Sequence, residues 1–198
     1  MKNKIVFLLC AAWLFTGYTM AQVPYVKYIK KYQQDYVSNH EVVTKADKSF
    51  FRFYAPSADY KIEAGFTRLK DTVGFMMPTS GKEPKRYFRY GHIHFLLGGK
   101  KLQLTIFQSK DLLTDPTYKD YLFLPFTDLT SGEESYGGGR YIDLEMKDIR
   151  NNKVIIDFNK AYNPYCAYTT GFNCPIPPRE NDLAVAIKAG EKEFGKRH

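Results

Sequence analysis

Residues 86–106 read RYFRYGHIHFLLGGKKLQLTI. A strand is expected from about Arg86 to Leu97. Gly98-Gly99 then reverses the chain into Leu102, Leu104 and Ile106, with glycines where a two-residue hairpin turn needs positive φ. His92 and His94 fall on one face of that strand, because side chains alternate with a period of two. An antiparallel pair of this length sets the frame for its neighbours.

The same period extends outward. Upstream, Phe51 and Phe53 alternate with Arg52 and Tyr54, and Pro56-Ser57-Ala58 turns the chain. Tyr60, Ile62, Ala64 and Phe66 then alternate with Lys61, Glu63 and Thr67, and Val73, Phe75 and Met77 follow the turn at Lys70-Asp71. Downstream, Tyr121 to Phe126 is a short strand. Tyr141 to Glu145 and Val154 to Phe158 are expected to form a hairpin around Asn151-Asn152, and Leu183, Val185 and Ile187 close the series. Before Phe50 the period is that of a helix. From Pro24 onward, Tyr25, Tyr28, Ile29, Tyr32 and Tyr36 share one face, while Lys27, Lys30, Lys31 and Gln34 face away. About nine short strands and one N-terminal helix predict a mainly β chain, an antiparallel meander forming a barrel or a two-layer sandwich.

The first 21 residues have the form of an export signal. Lys2 and Lys4 precede an apolar run, Ile5 to Phe15, and Thr19-Met20-Ala21 places small residues ahead of Gln22. That run is too short to span a bilayer, which takes ~20 residues. Residues 1–21 are therefore expected to be a signal peptide and 22–198 a single β-rich domain, secreted to the periplasm or the extracellular space with no transmembrane segment. The formal charge of +8 falls by two with Lys2 and Lys4. Its tightest cluster, Lys82, Lys85, Arg86 and Arg89 among Tyr87, Phe88 and Tyr90, is read as a solvated strand face and not as a nucleic-acid site. Loss of Cys10 with the leader leaves Cys166 and Cys174. An even count in an oxidising compartment favours a disulfide bond, and two thiols lending ligands to a metal is the alternative.

Two irregular segments stand out against the short turns, and long ordered loops on a β scaffold are where sites usually sit. The first, Thr127 to Arg140, reads TDLTSGEESYGGGR. Gly137-Gly138-Gly139 can turn amides inward around an anion, and Arg140 adds a bidentate fork. Asp128, Thr130, Tyr136, Gly138 and Arg140 are the candidates there. The alternative is a loop whose glycines only permit turning, with Arg140 paired to a carboxylate such as Asp157, placed opposite it across the Asn151-Asn152 turn. In the second segment, Asp157, Asn159 and Asn163 could form the polar floor of a pocket, or could stitch down the loop that follows. His92 and His94 have a spacing used by metal sites on β-barrels, but no third ligand identifies itself, so no metal and no cofactor is assigned.

Several ordered segments carry a resemblance: Leu122-Phe123-Leu124-Pro125-Phe126 with Asp128 and Thr130, Gly139-Arg140-Tyr141, Asp157-Phe158-Asn159, Asn163-Pro164, Cys166, Cys174-Pro175, Pro177-Pro178, Asn181, and Ala189-Gly190-Glu191. Together they resemble the bacterial family known as domain of unknown function 1684. The resemblance implies membership, with no substrate, cofactor or reaction attached, and it implies that longer members carry an additional N-terminal region.

The residues themselves suggest a non-enzymatic exported domain that binds a small polar or anionic ligand, with sixteen tyrosines suited to sugar faces. One rival is a hydrolase or transferase using Asp128, Asp157 or Glu191 as acid or base. The other is a structural envelope protein without a ligand. Oligomeric state is left open.

Overall fold

The computed structural model describes residues 23–196. The expected export signal, 1–21, lies outside the described residues. Among the described residues no helix is long and apolar enough to cross a membrane.

A helix, α1, spans 23–39. Eight strands follow: β1 (Lys61–Arg68), β2 (Phe75–Met77), β3 (Lys85–Leu97), β4 (Lys100–Ser109), β5 (Tyr121–Asp128), β6 (Arg140–Glu145), β7 (Lys153–Asp157) and β8 (Asp182–Leu183). The sheet runs in the order β6-β5-β4-β3-β1-β7, with β2 paired to β3 and β8 to β5. It curls into a half-barrel. The β3–β4 hairpin forms as expected, with Leu97 opposite Lys100 and φ of 57° and 75° at Gly98 and Gly99. Gly91 lets β1 approach closely, since a Cβ there would sit 2.3 Å from the Phe66 ring and 2.7 Å from the Thr67 carbonyl.

Three strand expectations are corrected, the first being Phe51 to Tyr54, which forms no strand and makes only a single bridge from Phe53 to Glu191. β6 and β7 are not a hairpin but the two ends of the sheet path, because β7 pairs with β1 (Lys61 opposite Asp157, Ile62 opposite Ile156). The Asn151-Asn152 turn exists, with positive φ at both residues, yet it closes only on Arg150 and Lys153. The cause is local. A one-turn helix at Met146–Asp148 follows β6 directly, fixed by reciprocal capping between Glu145 and Asp148, and carries the chain off the edge of β6. The last strand is also shorter than expected, and it runs parallel to β5. Val185 is part-buried and Ile187 fully buried, but neither lies in a strand.

Alternation along the strands produces two apolar layers. The inner face packs Phe66, Ile93, Leu104, Leu124, Ile142, Ile156 and their neighbours into the main core. Tyr87, Phe107, Phe123 and Tyr141 form a second cluster on the other face, with Tyr121 and Tyr162 packed against it. Helix α1 crosses the open side of the half-barrel. Ile29 is fully buried beneath it, and Tyr25, Tyr32 and Tyr36 lie along the same stripe, while Tyr28 is half-exposed at its border. Gln33 and His40 extend the buried stripe.

Candidate functional site

The candidate residues of the glycine loop point inward. Arg140 is fully buried. It stands on the same face of β6 as Ile142 and Leu144, both in the main core. Its Nη2 donates to Asp128 Oδ2 at 2.7 Å and to the Ile187 carbonyl at 2.9 Å, and its Nη1 donates to the carbonyls of Ala189 and Glu191 at 2.5 and 3.1 Å. Asp128 Oδ1 in turn accepts from the amides of Thr130 and Ile187. The pair therefore ties the loop, β6 and the C-terminal segment together. Arg140 meets Asp128, not Asp157. The amides of Glu133, Glu134 and Ser135 turn onto the Thr130 carbonyl, and Gly138 lies against the Tyr136 ring, so these groups serve the loop's own backbone.

Asp157 and Asn159 are brought together at the end of β7. Tyr25 Oη donates to Asp157 Oδ1 at 2.8 Å, and Asn159 Nδ2 donates to Tyr25 Oη, to Asp157 Oδ1 and to the Ser57 carbonyl. The network fastens the first turns of α1 and the Ser57 turn to the sheet, segments that precede β7, rather than the loop that follows it. Asn163 is buried. Its amide donates to Glu191 Oε2 at 2.9 Å, and its side chain donates to the Lys192 carbonyl. His92 Nδ1 lies 3.1 Å from Thr105 Oγ1, and His94 is exposed. Among the described residues, no group of three or more His, Cys, Asp or Glu side chains is placed to hold a metal ion. Cys166 and Cys174 are joined by a disulfide bond.

A cleft of about 720 Å³ opens elsewhere, between the C-terminal half of α1, the outer face of β6 and the segment closed by the disulfide. Its walls are aromatic: Tyr32 and Tyr36 from α1, Tyr141 from β6, Tyr162, Tyr165 and Phe172 from the irregular segment. Asp143 lines it from β6, on the same strand face as Tyr141. Tyr121 and Tyr162 both donate to Asp143 Oδ1 at 2.7 Å. Among the described residues Oδ2 has no hydrogen-bond donor from the protein. Water reaches Asp143, yet the surrounding protein removes enough of it to push the carboxyl above its usual range, and the two phenols pull the other way. Other ionisable residues on the cleft are Asp35, Glu41, Lys85 and His40. Burial, reinforced by the charge of Lys48, lowers His40 to about 4, and its Nδ1 accepts the Val43 amide, so it is neutral at physiological pH with its proton on Nε2.

Behind the Tyr36 wall lies Glu191, fully buried. Tyr168 Oη sits 2.8 and 2.9 Å from its two carboxyl oxygens, and Tyr36 Oη is 3.0 Å from Tyr168 Oη and 3.5 Å from Glu191 Oε2. Among the described residues no cation forms an ion pair with the carboxyl, and burial pushes it up to about 8 against the hydrogen bonds of Asn163, Tyr168 and Tyr36 and the charge of Arg140.

Asp143 and Tyr162 were not among the sequence candidates. The signal lay in the alternation of YIDLE, which puts Tyr141, Asp143 and Glu145 on one face, with an acid directly following a tyrosine on the side away from the core.

Residues 49–192 match the family described as "Protein of unknown function (DUF1684)", and the chain belongs to that family. The match includes β6 and the irregular segment but begins after α1, so the cleft combines one wall from the matched region with another from outside it. No curated protein matches the chain. The chain is similar to the solution NMR structure of an uncharacterized protein of Haloarcula marismortui. The two share 29% identity over 87% of this chain and 96% of that one, with a TM-score of 0.64.

Proposed function

We propose that the protein is a non-enzymatic binding domain for a small polar ligand, hydroxyl-rich or cationic, held against Asp143 in the aromatic cleft. The observation that carries this reading is the Asp143 carboxylate. One oxygen is fixed by two phenols and the other is left without a protein donor, at the meeting point of aromatic walls. Concave, mostly apolar sites with a few oriented polar groups are the usual form of small-molecule pockets. The charges narrow the ligand class. Three carboxylates and one lysine line the cleft of a chain whose overall charge is +8, which disfavours an anion at this end and favours a cation or a donor-rich sugar. A cation over an aromatic face gains ~0.5–2 kcal/mol, and ring faces also stack on sugars.

The test is a thermal-shift and NMR screen with amino sugars, neutral sugars and small amines. Binding is expected to localise to Tyr141, Asp143 and Tyr162 and to be lost in Asp143→Asn. Binding that ignores this substitution, or no binding across the panel, would overturn the reading. A bound compound consumed with time would instead assign acid–base chemistry to Asp143 and the Tyr36–Glu191 contact.

Export belongs to the same proposal, supported by the leader-like first 21 residues. Trp13 is the single tryptophan. Protein recovered from the producing cell's envelope should begin at Gln22 by mass and emit only tyrosine fluorescence.

A further inference from the structure

The cleft continues past Asp143. Tyr32, Asp143 and Tyr162 also border a second chamber of about 490 Å³, lying under the N-terminal half of α1 where β6 and β7 fail to meet. Its character is the reverse of the first. Lys61, Lys147, Arg150 and Lys160 line it. Lys147 is engaged by Glu145 at 2.5 Å. Among the described residues, no carboxylate lies within ion-pair distance of Lys61, Arg150 or Lys160. The two ammonium groups instead rest on rings, Lys61 Nζ 5.4 Å from the centre of Tyr25, and Lys160 Nζ 5.1 and 5.4 Å from the centres of Tyr28 and Tyr32. Arg150 Nε donates to the Lys147 carbonyl, which leaves both terminal nitrogens without a protein acceptor among the described residues.

Each acid that shares the chamber has one oxygen taken up by donors from the chain. Asp157 Oδ1 accepts from Tyr25 and from both nitrogens of Asn159, Asp148 Oδ2 accepts the Glu145 amide, and Asp143 Oδ1 holds two phenols. Those donors are neutral and leave the carboxylates charged, so what the chamber offers a ligand is the N–H donors of three cations that form no ion pair among the described residues, Lys61, Arg150 and Lys160, set beside three acids.

We infer that this chamber holds a phosphate, sulfate or carboxylate group, and that the ligand is bipolar. Its hydroxyl-rich or cationic end lies over Asp143 and its anionic end among Lys61, Arg150 and Lys160. The bipolar form rests on the cleft reading above, whereas the anion site stands on the chamber alone.

The experiment titrates the full chain with inorganic phosphate at constant ionic strength, because added salt screens exposed charges. Saturable NMR shifts are expected around Lys61, Arg150 and Lys160, with affinity falling ~10-fold or more in the Lys61→Gln, Lys160→Gln double variant and persisting in Asp143→Asn. Shifts that do not saturate, that spread over the whole basic surface, or that survive the double substitution would overturn the anion site and leave the cleft reading standing. A second arm compares glucosamine with glucosamine 6-phosphate. The phosphorylated sugar should bind at least ~10-fold tighter and displace inorganic phosphate. Equal affinities would show that the two chambers serve separate ligands and would overturn the bipolar form. Failure of both sugars alongside saturable phosphate binding would overturn the bipolar form and count against the cleft reading, while the anion site stood.

Discussion

Asp128 and Asp143 sit on neighbouring strands of one sheet and could hardly be treated more differently. Asp128 lies inside, sealed against a guanidinium that is itself fully buried and shared with three carbonyls. Asp143 lies on the outer face, held by two phenols and still reached by water. The first arrangement satisfies nearly every polar atom from within the chain and leaves nothing to offer a ligand. The second fixes one oxygen and keeps the other available. Burial and satisfaction mark structure here, and partial satisfaction at a concave surface is what the proposed site rests on.

The largest effect that could break this contrast is at Arg140. Arg140→Met or Asp128→Asn strips a buried charge of its partner and should cost ~3–5 kcal/mol in urea denaturation. Arg140→Lys should also be strongly destabilising, since one ammonium cannot reach Asp128 and three carbonyls in the same geometry. A variant that unfolds like the parent protein would remove the distinction between the two carboxylates.

The disulfide comes next. Cys166→Ser with Cys174→Ser should lower stability by about 2.6 kcal/mol on the chain-entropy account. It should also loosen the cleft rim that carries Phe172 and Asn173, weakening any ligand found there. Unchanged stability and affinity would show that the rim is held by its other contacts, such as Ser80 with Cys166 and the Cys174 amide.

Glu191 sharpens the comparison through pH. Its folded value of about 8 exceeds its ordinary 4.5, so the folded state holds a proton that the unfolded chain releases. The stability this contributes is complete below about pH 4.5 and is lost as pH rises through about 8. His40, lowered from 6.5 to about 4, opposes this trend between those values and is silent above them. Between pH 6.5 and 8 stability should fall by at most about 2 kcal/mol, and Glu191→Gln should flatten the decline. Melting curves at three pH values across that window decide it; a parent slope of zero would mean Glu191 is ionised when folded.

The smallest effect is expected where the site is. Asp143→Asn keeps an acceptor for Tyr121 and Tyr162 and should shift stability by no more than ~0.5–1 kcal/mol, while the proposed binding should be lost. A loss comparable to that of Arg140→Met would make Asp143 a structural residue.

The strands and the helix were legible because their signals are local. Ile62, Ala64 and Phe66 alternate within a few residues, Gly98-Gly99 marks its own turn, and the tyrosines from Tyr25 to Tyr36 repeat at helical spacing. The seam was not legible. Pairing Lys61 with Asp157 joins residues far apart in the chain; the capping pair Glu145 and Asp148 marks where the chain leaves β6, but nothing near Asn151-Asn152 announces that β7 pairs with β1. Arg140 drew attention correctly, but its partner could not be read, because Asp128 and Asp157 are equally plausible carboxylates until the sheet order is known. Asp143 looks like an ordinary outward acid in YIDLE. Its character comes from Tyr121 and Tyr162, which other segments deliver to it.

The unclosed seam has a consequence for the protein's behaviour in company. Open sheet edges recruit strands from other molecules, and natural sheets guard against this by covering them. Among the described residues β6 pairs beyond the sheet only through Tyr141 with Tyr162, and α1 lies across the remainder. The helix is thus a guard against edge-to-edge aggregation as well as a wall of the cleft. Lifting it uncovers both edges and both chambers in one step. A ligand that bridges α1 and β6 at Asp143 would stabilise the guarded form by mass action. On that proposal, ligand binding would also protect the sheet edges against self-association.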